Sequence, residues 1–374
     1  MGRYVGDLSI DRIRRLSDEF GFNNVEMLEK FLIDFEILGH LLVEVPSCII
    51  KGGLAVPFHG DISKLLRLSE DIDGVTPLSE DKIKSSMEKL KPLLARLGIT
   101  LEPHTPENPE RILPLLTYYC WYDSVFGTRS RVKIDLFYGV DTGSVSTMVV
   151  KNTSIFDVKL DFEFHVYDRM SLIGDKLTTL PRNTIGIEPG HRDVDIPKQV
   201  FDIAILLRGS RRVVVDDIRS AFVHAAIGQI GYSDDPALSI DGVWDDLFKS
   251  VDDMLVVDKQ PKLPDQYKGL FSTFSHNMLG RSSYTPNRHV EDIMLIRVAC
   301  MLLRDAQATA PSLNDVVPEL IRLRNLDKGM EQGEIRDIVG RIRGIRKKWK
   351  RVNFMTPSQA YLYEVGLRVG IGTW

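Results

Sequence analysis

The sequence has little cysteine: three residues in a chain of 374, at Cys48, Cys120 and Cys300. They lie too far apart for a Cys-x-x-Cys metal site, and they are too few for a disulfide framework. Histidine gives no zinc signal either, because the eight histidines form no His-x-x-x-His or His-Glu-x-x-His pattern. The cysteine content predicts a protein of a reducing compartment.

The sequence also lacks a long apolar run. An apolar stretch over residues 31–50 is interrupted by Asp34, Glu36, His40 and Glu44. It falls short of the ~20 apolar residues that a membrane span needs. The N-terminus does not show the charged and then apolar order of a signal peptide. These absences predict a cytoplasmic protein without a membrane partner.

No serine, cysteine or threonine stands in a Gly-x-Ser-x-Gly or similar nucleophile setting, so an enzyme with a covalent nucleophile of that kind is not indicated. The composition is that of an ordinary globular protein, 43% hydrophobic and 27% charged, which excludes a disordered or collagen-like chain. The length is enough for about two domains.

The chain has no large excess of either charge. Its 48 basic and 52 acidic residues give a net charge of −4, and this total does not indicate a nucleic-acid-binding protein. Residues 322–351 depart from the balance, with eleven Lys and Arg against four acids and a local charge of +7. The rest of the chain carries −11. This partition favours a polyanionic partner for the basic segment.

Hydrophobic periodicity predicts an α/β first half and a helical second half. A helix with one buried face is predicted over residues 25–45, and a proline-containing loop over 101–114. The predicted strands cover residues 48–50, 68–72, 132–138 and 158–167. We therefore expect three parts: an N-terminal helical segment (1–45), an α/β domain (46–168) and an all-helical C-terminal domain (169–374).

The most informative stretch joins two glycines to a pair of acids. Gly52 and Gly53 follow a predicted strand, where they let backbone N–H groups approach an anion such as phosphate. In an extended segment Asp71 and Asp73 point to the same face, and carboxylates so placed suit Mg²⁺ together with substrate phosphates. Asp135 lies within an apolar strand, where an acid is costly unless it is paired or metal-bound. A two-metal site needs such a third carboxylate.

Each of these signals also has an ordinary structural explanation. A Gly-Gly pair is commonly just a turn. The spacing of the two acids recurs at Asp161-x-Glu163 and Asp193-x-Asp195, where a solvated strand face and a helix cap explain it. The combination and order of the signals carry the functional interpretation.

Five motifs follow one another along the chain: KGGLA (51–55), RLSEDID (67–73), KIDL (133–136), GDKL (174–177) and KQVFDI (198–203). In this order they resemble the AbiEii/AbiGii toxin family of nucleotidyltransferases, a branch of the DNA polymerase β-like superfamily. The resemblance covers roughly residues 25–230. It implies an α/β (α+β) fold: a polymerase β-like domain with a short mixed sheet, followed by the helical C-terminal domain.

The resemblance also implies a metal site. Asp71 and Asp73 would hold the metal ions, and Asp135 would complete the site. The cofactor expected from the family is Mg²⁺, with two ions bound beside the NTP substrate.

Further roles follow from the resemblance at other motif positions. Gly52, Gly53 and Ser69 would contact the triphosphate of the nucleotide. Lys176 would neutralise triphosphate charge, and Asp202 would face the nucleotide or the acceptor hydroxyl.

The chain departs from the family pattern in three places. Leu54 stands where the family commonly has threonine, and seventeen residues separate Gly53 from Asp71, which is a long spacing. Residues 197–199, Pro-Lys-Gln, replace the usual Arg-Asp run before Asp202. None of these changes removes a metal-binding acid.

The basic segment includes a predicted helix over residues 334–351. Arg343, Arg346, Lys347 and Lys350 lie largely off its apolar face. Two interpretations stay open: a core-packing helix with a solvated basic face, and a phosphate-binding surface for RNA. Base stacking on this helix is not indicated, because Trp349 is its only aromatic residue.

The combined prediction is a metal-dependent nucleotidyltransferase that transfers a nucleoside monophosphate from an NTP to an acceptor hydroxyl and releases pyrophosphate. The resemblance implies a toxin of a toxin–antitoxin or phage-defence system, with a tRNA 3′ end as acceptor and a separate antitoxin as partner. Two alternatives are a small-molecule, antibiotic-type nucleotidyltransferase and a catalytically inactive nucleotide-binding protein of the same fold.

Overall fold

A computed structural model describes residues 4–60, 67–104, 113–209, 212–257, 261–280, 284–304, 312–324, 332–348 and 355–369. The chain forms two compact units. Unit 1 comprises Met1–Leu172, Tyr232–Asp234 and Ser275–Ser283. Unit 2 comprises Ile173–Gly231, Asp235–Phe274 and Tyr284–Trp374. The predicted domain boundaries after residues 45 and 168 stay predictions.

Helices account for most of the described residues. They are α1 (Ile10–Phe20), α2 (Val25–Glu44), α3 (Gly52–Ala55), α4 (Glu80–Ala95), α5 (Arg169–Leu177), α6 (Ile196–Arg208), α7 (Val215–Ile230), α8 (Ile240–Asp253), α9 (Asp265–Met278), α10 (Pro286–Arg304), α11 (Leu313–Arg324), α12 (Gln332–Lys348) and α13 (Pro357–Arg368). Short 3₁₀ turns cover Val56–His59, Thr142–Ser144 and Asp193–Asp195. In the described part of the chain, no helix is both long enough and apolar enough to cross a membrane.

The strands are concentrated in unit 1. They are β1 (Ile49–Lys51), β2 (Asp71–Val75), β3 (Thr100–His104), β4 (Leu115–Asp123), β5 (Arg129–Phe137), β6 (Thr147–Val150), β7 (Thr153–Ile155), β8 (Val158–Leu160), β9 (Phe164–Tyr167), β10 (Val256–Val257) and β11 (Pro261–Lys262). Seven of them form one sheet in the order β3-β4-β5-β2-β1-β9-β6. The pairs β2–β5 and β1–β9 are parallel and the other pairs antiparallel. The predicted fold class, a mixed sheet followed by a helical region, is confirmed.

Local side-chain caps explain where several helices begin. Asn24 accepts a hydrogen bond from the backbone of Met27 at the start of α2, and Asp168 accepts one from Ser171 N at 2.8 Å at the start of α5. Thr356 and Gln359 form a reciprocal capping box at the start of α13. Such caps satisfy backbone donors that a helix terminus leaves without partners.

The prediction that α2 buries a single face was wrong. Every residue from 31 to 41 is buried, because α2 packs against α1, α4 and the sheet strands β2 and β5. A helix surrounded in this way must also bury its polar residues, and Glu29, Asp34, Glu36 and His40 are all almost fully buried.

The loop predicted over residues 101–114 was also partly wrong. Its first part is the edge strand β3, in which Pro103 lies opposite Tyr118 of β4. An edge strand tolerates proline because one side of its backbone needs no donor to a neighbouring strand. Residues 105–112 lie outside the described residues. Strand β4, which has no counterpart in the prediction, completes the hairpin.

Two predicted strands have different limits in the structure. The strand predicted over residues 68–72 runs instead from Asp71 to Val75. The strand predicted over 158–167 is two strands: β8 pairs with β7 in a separate hairpin, and β9 joins the main sheet.

Candidate active site

The turn after β1 brings the glycine motif against one of the acids. Gly52 has a φ of +65°, a conformation that side-chain-bearing residues rarely adopt. A Cβ atom on Gly52 would lie 2.0 Å from Asp73 Oδ2, and one on Gly53 would lie 2.5 Å from Ser69 Oγ. Both glycines are therefore required by close packing, and the structure brings Gly52, Gly53, Ser69 and Asp73 together.

Strand register places the three predicted metal ligands on one face of the sheet. Asp73 lies directly opposite Asp135 across the parallel pair β2–β5, and Asp71 lies opposite Lys133. Residues paired in this way, and residues two apart along a strand, share a face. Asp71, Asp73 and Asp135 are all half-buried. The acids predicted from spacing are thus neighbours in space.

Two side chains from β4 and β5 contact the acids. Lys133 Nζ lies 2.7 Å from Asp135 Oδ2 and 3.9 Å from Asp71 Oδ2. Thr117 Oγ1 donates to Asp135 Oδ1 at 2.7 Å. Sequence reasoning missed both residues. The signal available for Lys133 was its position two residues before Asp135 in an alternating strand, whereas Thr117 belongs to the strand that was not predicted.

The negative charges of Asp71, Asp73 and Asp135 lie close together and affect one another. Burial, together with the charges of Asp71 and Asp135, raises the pKa of Asp73 to about 6 against the opposing effects of Lys133 and Lys51. Burial acts to lower the pKa of Lys133, but the neighbouring Asp71 and Asp135 outweigh it and the pKa is raised. Three carboxylates therefore lie here against the charges of two lysines, Lys133 and Lys51.

A further carboxyl group lies in the helix packed against these strands. Asp34 of α2 is fully buried, and neither of its oxygens has a hydrogen-bond partner among the described residues. Burial raises the pKa of Asp34 well above its ordinary value, and the charges of Asp71, Glu70 and Asp73 add to this against the effect of Lys30. The sequence showed Asp34 only as an interruption of an apolar run.

The donor chemistry of the acids fits a hard divalent cation such as Mg²⁺, which prefers carboxylate oxygen. Within the described ranges, no three His, Cys, Asp or Glu side chains converge in this geometry as a ready-made metal site. The ammonium group of Lys133 lies against Asp135 and near Asp71 instead. Metal binding by all three acids therefore requires their side chains to turn and Lys133 to move away from Asp135.

Lys176 and Asp202, the other two predicted catalytic residues, contact each other in unit 2. Lys176 Nζ lies 2.6 Å from Asp202 Oδ2 and donates to Gln199 Oε1 at 3.2 Å. Asp202 is fully buried and Lys176 is 3% exposed. Both side chains therefore lie inside the helical unit and not at its surface. Their roles toward triphosphate and acceptor stay predictions.

The predicted basic helix is α12. Its buried positions include Ile338, Ile342 and Ile345, whereas Arg343 and Lys347 are exposed. Arg346 is half-buried and donates to the carbonyl oxygen of Met355 at 2.9 Å. Lys350 and Trp349 lie outside the described residues.

Part of the +7 charge of the basic segment is neutralised within the protein. Arg322 and Arg341 lie 3.6 and 2.9 Å from the carboxylate of Glu319. Arg324 contacts both Glu291 and Asp292. The net charge of the segment therefore overstates the charge that it offers to a partner.

Comparison with known protein families identifies the class of enzyme. The family model described as "Nucleotidyl transferase AbiEii toxin, Type IV TA system" matches residues 38–272. This range includes every motif that carries the resemblance, and the protein is a nucleotidyltransferase. Because the match spans more than half of the chain, the protein belongs to the AbiEii family of toxin nucleotidyltransferases.

A solved structure shows a weaker similarity. The crystal structure of an antigenic nucleotidyltransferase-like protein from Paracoccidioides brasiliensis covers 55% of this chain and 94% of that protein, with 13% sequence identity and a TM-score of 0.33. No curated protein sequence matches the chain.

Proposed function

We propose that the protein transfers a nucleoside monophosphate from an NTP to the hydroxyl at a tRNA 3′ end, as the toxin of a toxin–antitoxin or phage-defence pair with a separate antitoxin as its partner. The observation that carries the catalytic part is the register of Asp73 opposite Asp135, with Gly52 packed against Asp73. Family membership supports the toxin role. The tRNA acceptor rests on the resemblance.

The acids Asp71, Asp73 and Asp135 hold Mg²⁺ in this proposal, with two ions expected. Bound Mg²⁺ supplies charge stabilisation at the reacting phosphate and lowers the pKa of the attacking hydroxyl. Thr117 and Lys133 orient Asp135 before binding. Gly52, Gly53 and Ser69 position the triphosphate, since only glycine leaves room between β1 and Asp73.

The remaining predicted residues keep secondary roles. Lys176 neutralises triphosphate charge and Asp202 faces the nucleotide or acceptor. Arg343, Arg346, Lys347 and Lys350 contact RNA phosphates. The exposure of Arg343 and Lys347 supports this contact.

The experiment is incubation of the purified protein with each radiolabelled NTP in turn, Mg²⁺ and total RNA. Wild type is expected to label the tRNA fraction, and Asp71→Asn and Asp135→Asn are expected to lose about a hundredfold or more of this activity. Asp161→Asn is the matched control, because Asp161 has the same spacing motif but is an exposed residue 3.2 Å from Lys159.

Three results would each contradict a different part of the proposal. No labelling by wild type, or full labelling by Asp71→Asn, removes the catalytic assignment. Labelling of a small molecule in place of RNA removes the tRNA acceptor but keeps the catalytic acids. EDTA-resistant transfer removes the metal.

A further inference from the structure

The face of the sheet that carries the acids continues into a row of aromatic and arginine side chains. On β4 the row contains Tyr119 and Trp121, and on β5 it contains Arg129 and Arg131. Tyr119 pairs with Lys133 and Trp121 pairs with Arg131. Since Asp135 lies two residues beyond Lys133, these side chains share its face. We call Tyr119, Trp121, Arg129 and Arg131 the stacking face.

The members of the stacking face contact one another. The guanidinium of Arg131 lies 4.1 Å from the ring centre of Tyr119 and 5.1 Å from that of Trp121. Arg129 lies 5.6 Å from the Trp121 ring. The exposed ring of His104 lies 4.7 Å from Tyr119. These are planar groups at separations typical of cation–π and aromatic contacts.

The stacking face is on the solvent side of the hairpin. The intervening residues Tyr118, Cys120 and Tyr122 point to the other side and are buried. Arg129 and Arg131 are exposed, and Tyr119 and Trp121 are half-buried. Both rings are thus partly accessible to solvent, whereas the indole Nε1 of Trp121 is buried and has no hydrogen-bond partner among the described residues.

We infer that the stacking face binds the single-stranded end of the acceptor RNA, by stacking its bases on Trp121, Tyr119 and the guanidinium planes. Aromatic and arginine platforms bind unpaired bases in this way, with little dependence on sequence. The inference rests on the proposed function, because it supplies the RNA class of acceptor for that site.

The position of the face favours RNA over a protein partner. Arg131 is four residues from Asp135 along β5, which corresponds to about 13 Å in an extended strand. A strand of RNA lying along β5 therefore leads directly to the acids. Glu102 and Asp123 also share this face, so its net charge is small, and binding should depend on stacking more than on salt.

The test measures RNA binding and catalysis separately. Binding is measured by fluorescence anisotropy with two labelled RNAs, a hairpin with a single-stranded 3′ end and a blunt hairpin of the same length. Trp121→Ala is expected to weaken binding of the single-stranded end about tenfold, and Trp121→Phe to retain most of it. In transfer assays, Trp121→Ala should raise KM for RNA and leave KM for the NTP unchanged.

Two controls keep the test independent of folding. Arg131→Gln changes an exposed side chain and should weaken binding in the same direction with no change in Tm. Tyr232→Ala removes a tyrosine that is 40% exposed elsewhere in unit 1 and should not affect RNA binding.

Specific outcomes overturn the inference. The inference is wrong if Trp121→Ala and Arg131→Gln bind the single-stranded end as tightly as the wild-type protein does. It is also wrong if the wild-type protein binds the blunt hairpin as tightly as the hairpin with a single-stranded end. If these variants keep RNA binding but lose a co-expressed protein partner, the face is a protein interface. Because binding is measured without transfer, failure of wild type to transfer nucleotide contradicts the proposed function alone.

Discussion

Asp73 in unit 1 and Asp292 in unit 2 are carboxylates in two different electrostatic environments. Burial and two neighbouring acids raise the pKa of Asp73 to about 6. Burial also acts to raise the pKa of Asp292, but Arg208 and Arg324 outweigh it and the pKa is lowered. Asp292 also accepts a hydrogen bond from Tyr284 at 2.9 Å.

The two environments differ in whether the protein itself balances the charge of the carboxylate. The fold matches Asp292 with two arginines and a tyrosine, so its charge is balanced within the protein. Among the described residues, Asp73 lies with two further acids, Asp71 and Asp135, against the charges of Lys133 and Lys51. Such an excess of negative charge costs stability unless an external cation binds. Sites that hold a ligand commonly keep such an unfavourable arrangement.

The largest effect on stability is expected from breaking the balanced group. Asp292→Ala leaves Arg208 and Arg324 buried without their shared partner and should cost about 3–5 kcal/mol of unfolding free energy. Asp135→Ala should change it by less than about 1 kcal/mol, because Lys133 keeps Asp71 nearby. Urea denaturation of both variants checks this. Equal destabilisation by the two substitutions would show that the acids of unit 1 are structural too.

Lys176 and Asp202 form a buried pair of the balanced kind. Asp202→Ala should cost about 3 kcal/mol, since Lys176 is left buried, and the double variant Lys176→Met/Asp202→Leu should recover most of that loss. Thermal unfolding and nucleotide transfer are measured on the same samples. A stable but inactive double variant supports the catalytic roles predicted for the pair, whereas full activity assigns it to structure alone.

Asp34 should behave as an unbalanced acid whose charge is unfavourable. Its pKa is raised in the folded protein, so the folded state loses stability as pH rises above the pKa of the unfolded chain. Asp34→Asn should therefore stabilise the protein at pH 8 and do so by much less at pH 4. Melting curves at the two pH values check the sign. A variant less stable than wild type at pH 8 contradicts the assignment.

The three acids of the candidate site could be predicted from sequence because their arrangement is local. Asp71 and Asp73 share a face by strand alternation, and an acid within an apolar strand marked Asp135. The two strands β2 and β5 pair with each other although more than sixty residues of chain separate Asp73 from Asp135. Only the family resemblance indicated this pairing.

Other parts of the site depend on contacts that no local pattern contains. The pairing of Lys176 with Asp202 joins two helices, and each residue alone resembles a surface residue. Tyr119 and Trp121 lie on β4, and their role depends on the register with β5. The partial neutralisation of the basic segment likewise depends on distant acids such as Glu291 in α10.

The most direct test of the unbalanced site is the thermal shift produced by Mg²⁺ in wild type and Asp73→Asn at pH 8 and pH 5. Because Asp73 has a pKa of about 6, it is ionised at pH 8 and protonated at pH 5, where a proton competes with the metal. Wild type should gain about 1.4 kcal/mol of unfolding free energy at pH 8 with Mg²⁺ at ten times its Kd, and a smaller amount at pH 5. Asp73→Asn should gain little at either pH. An equal shift in both proteins, or none in wild type, contradicts the account.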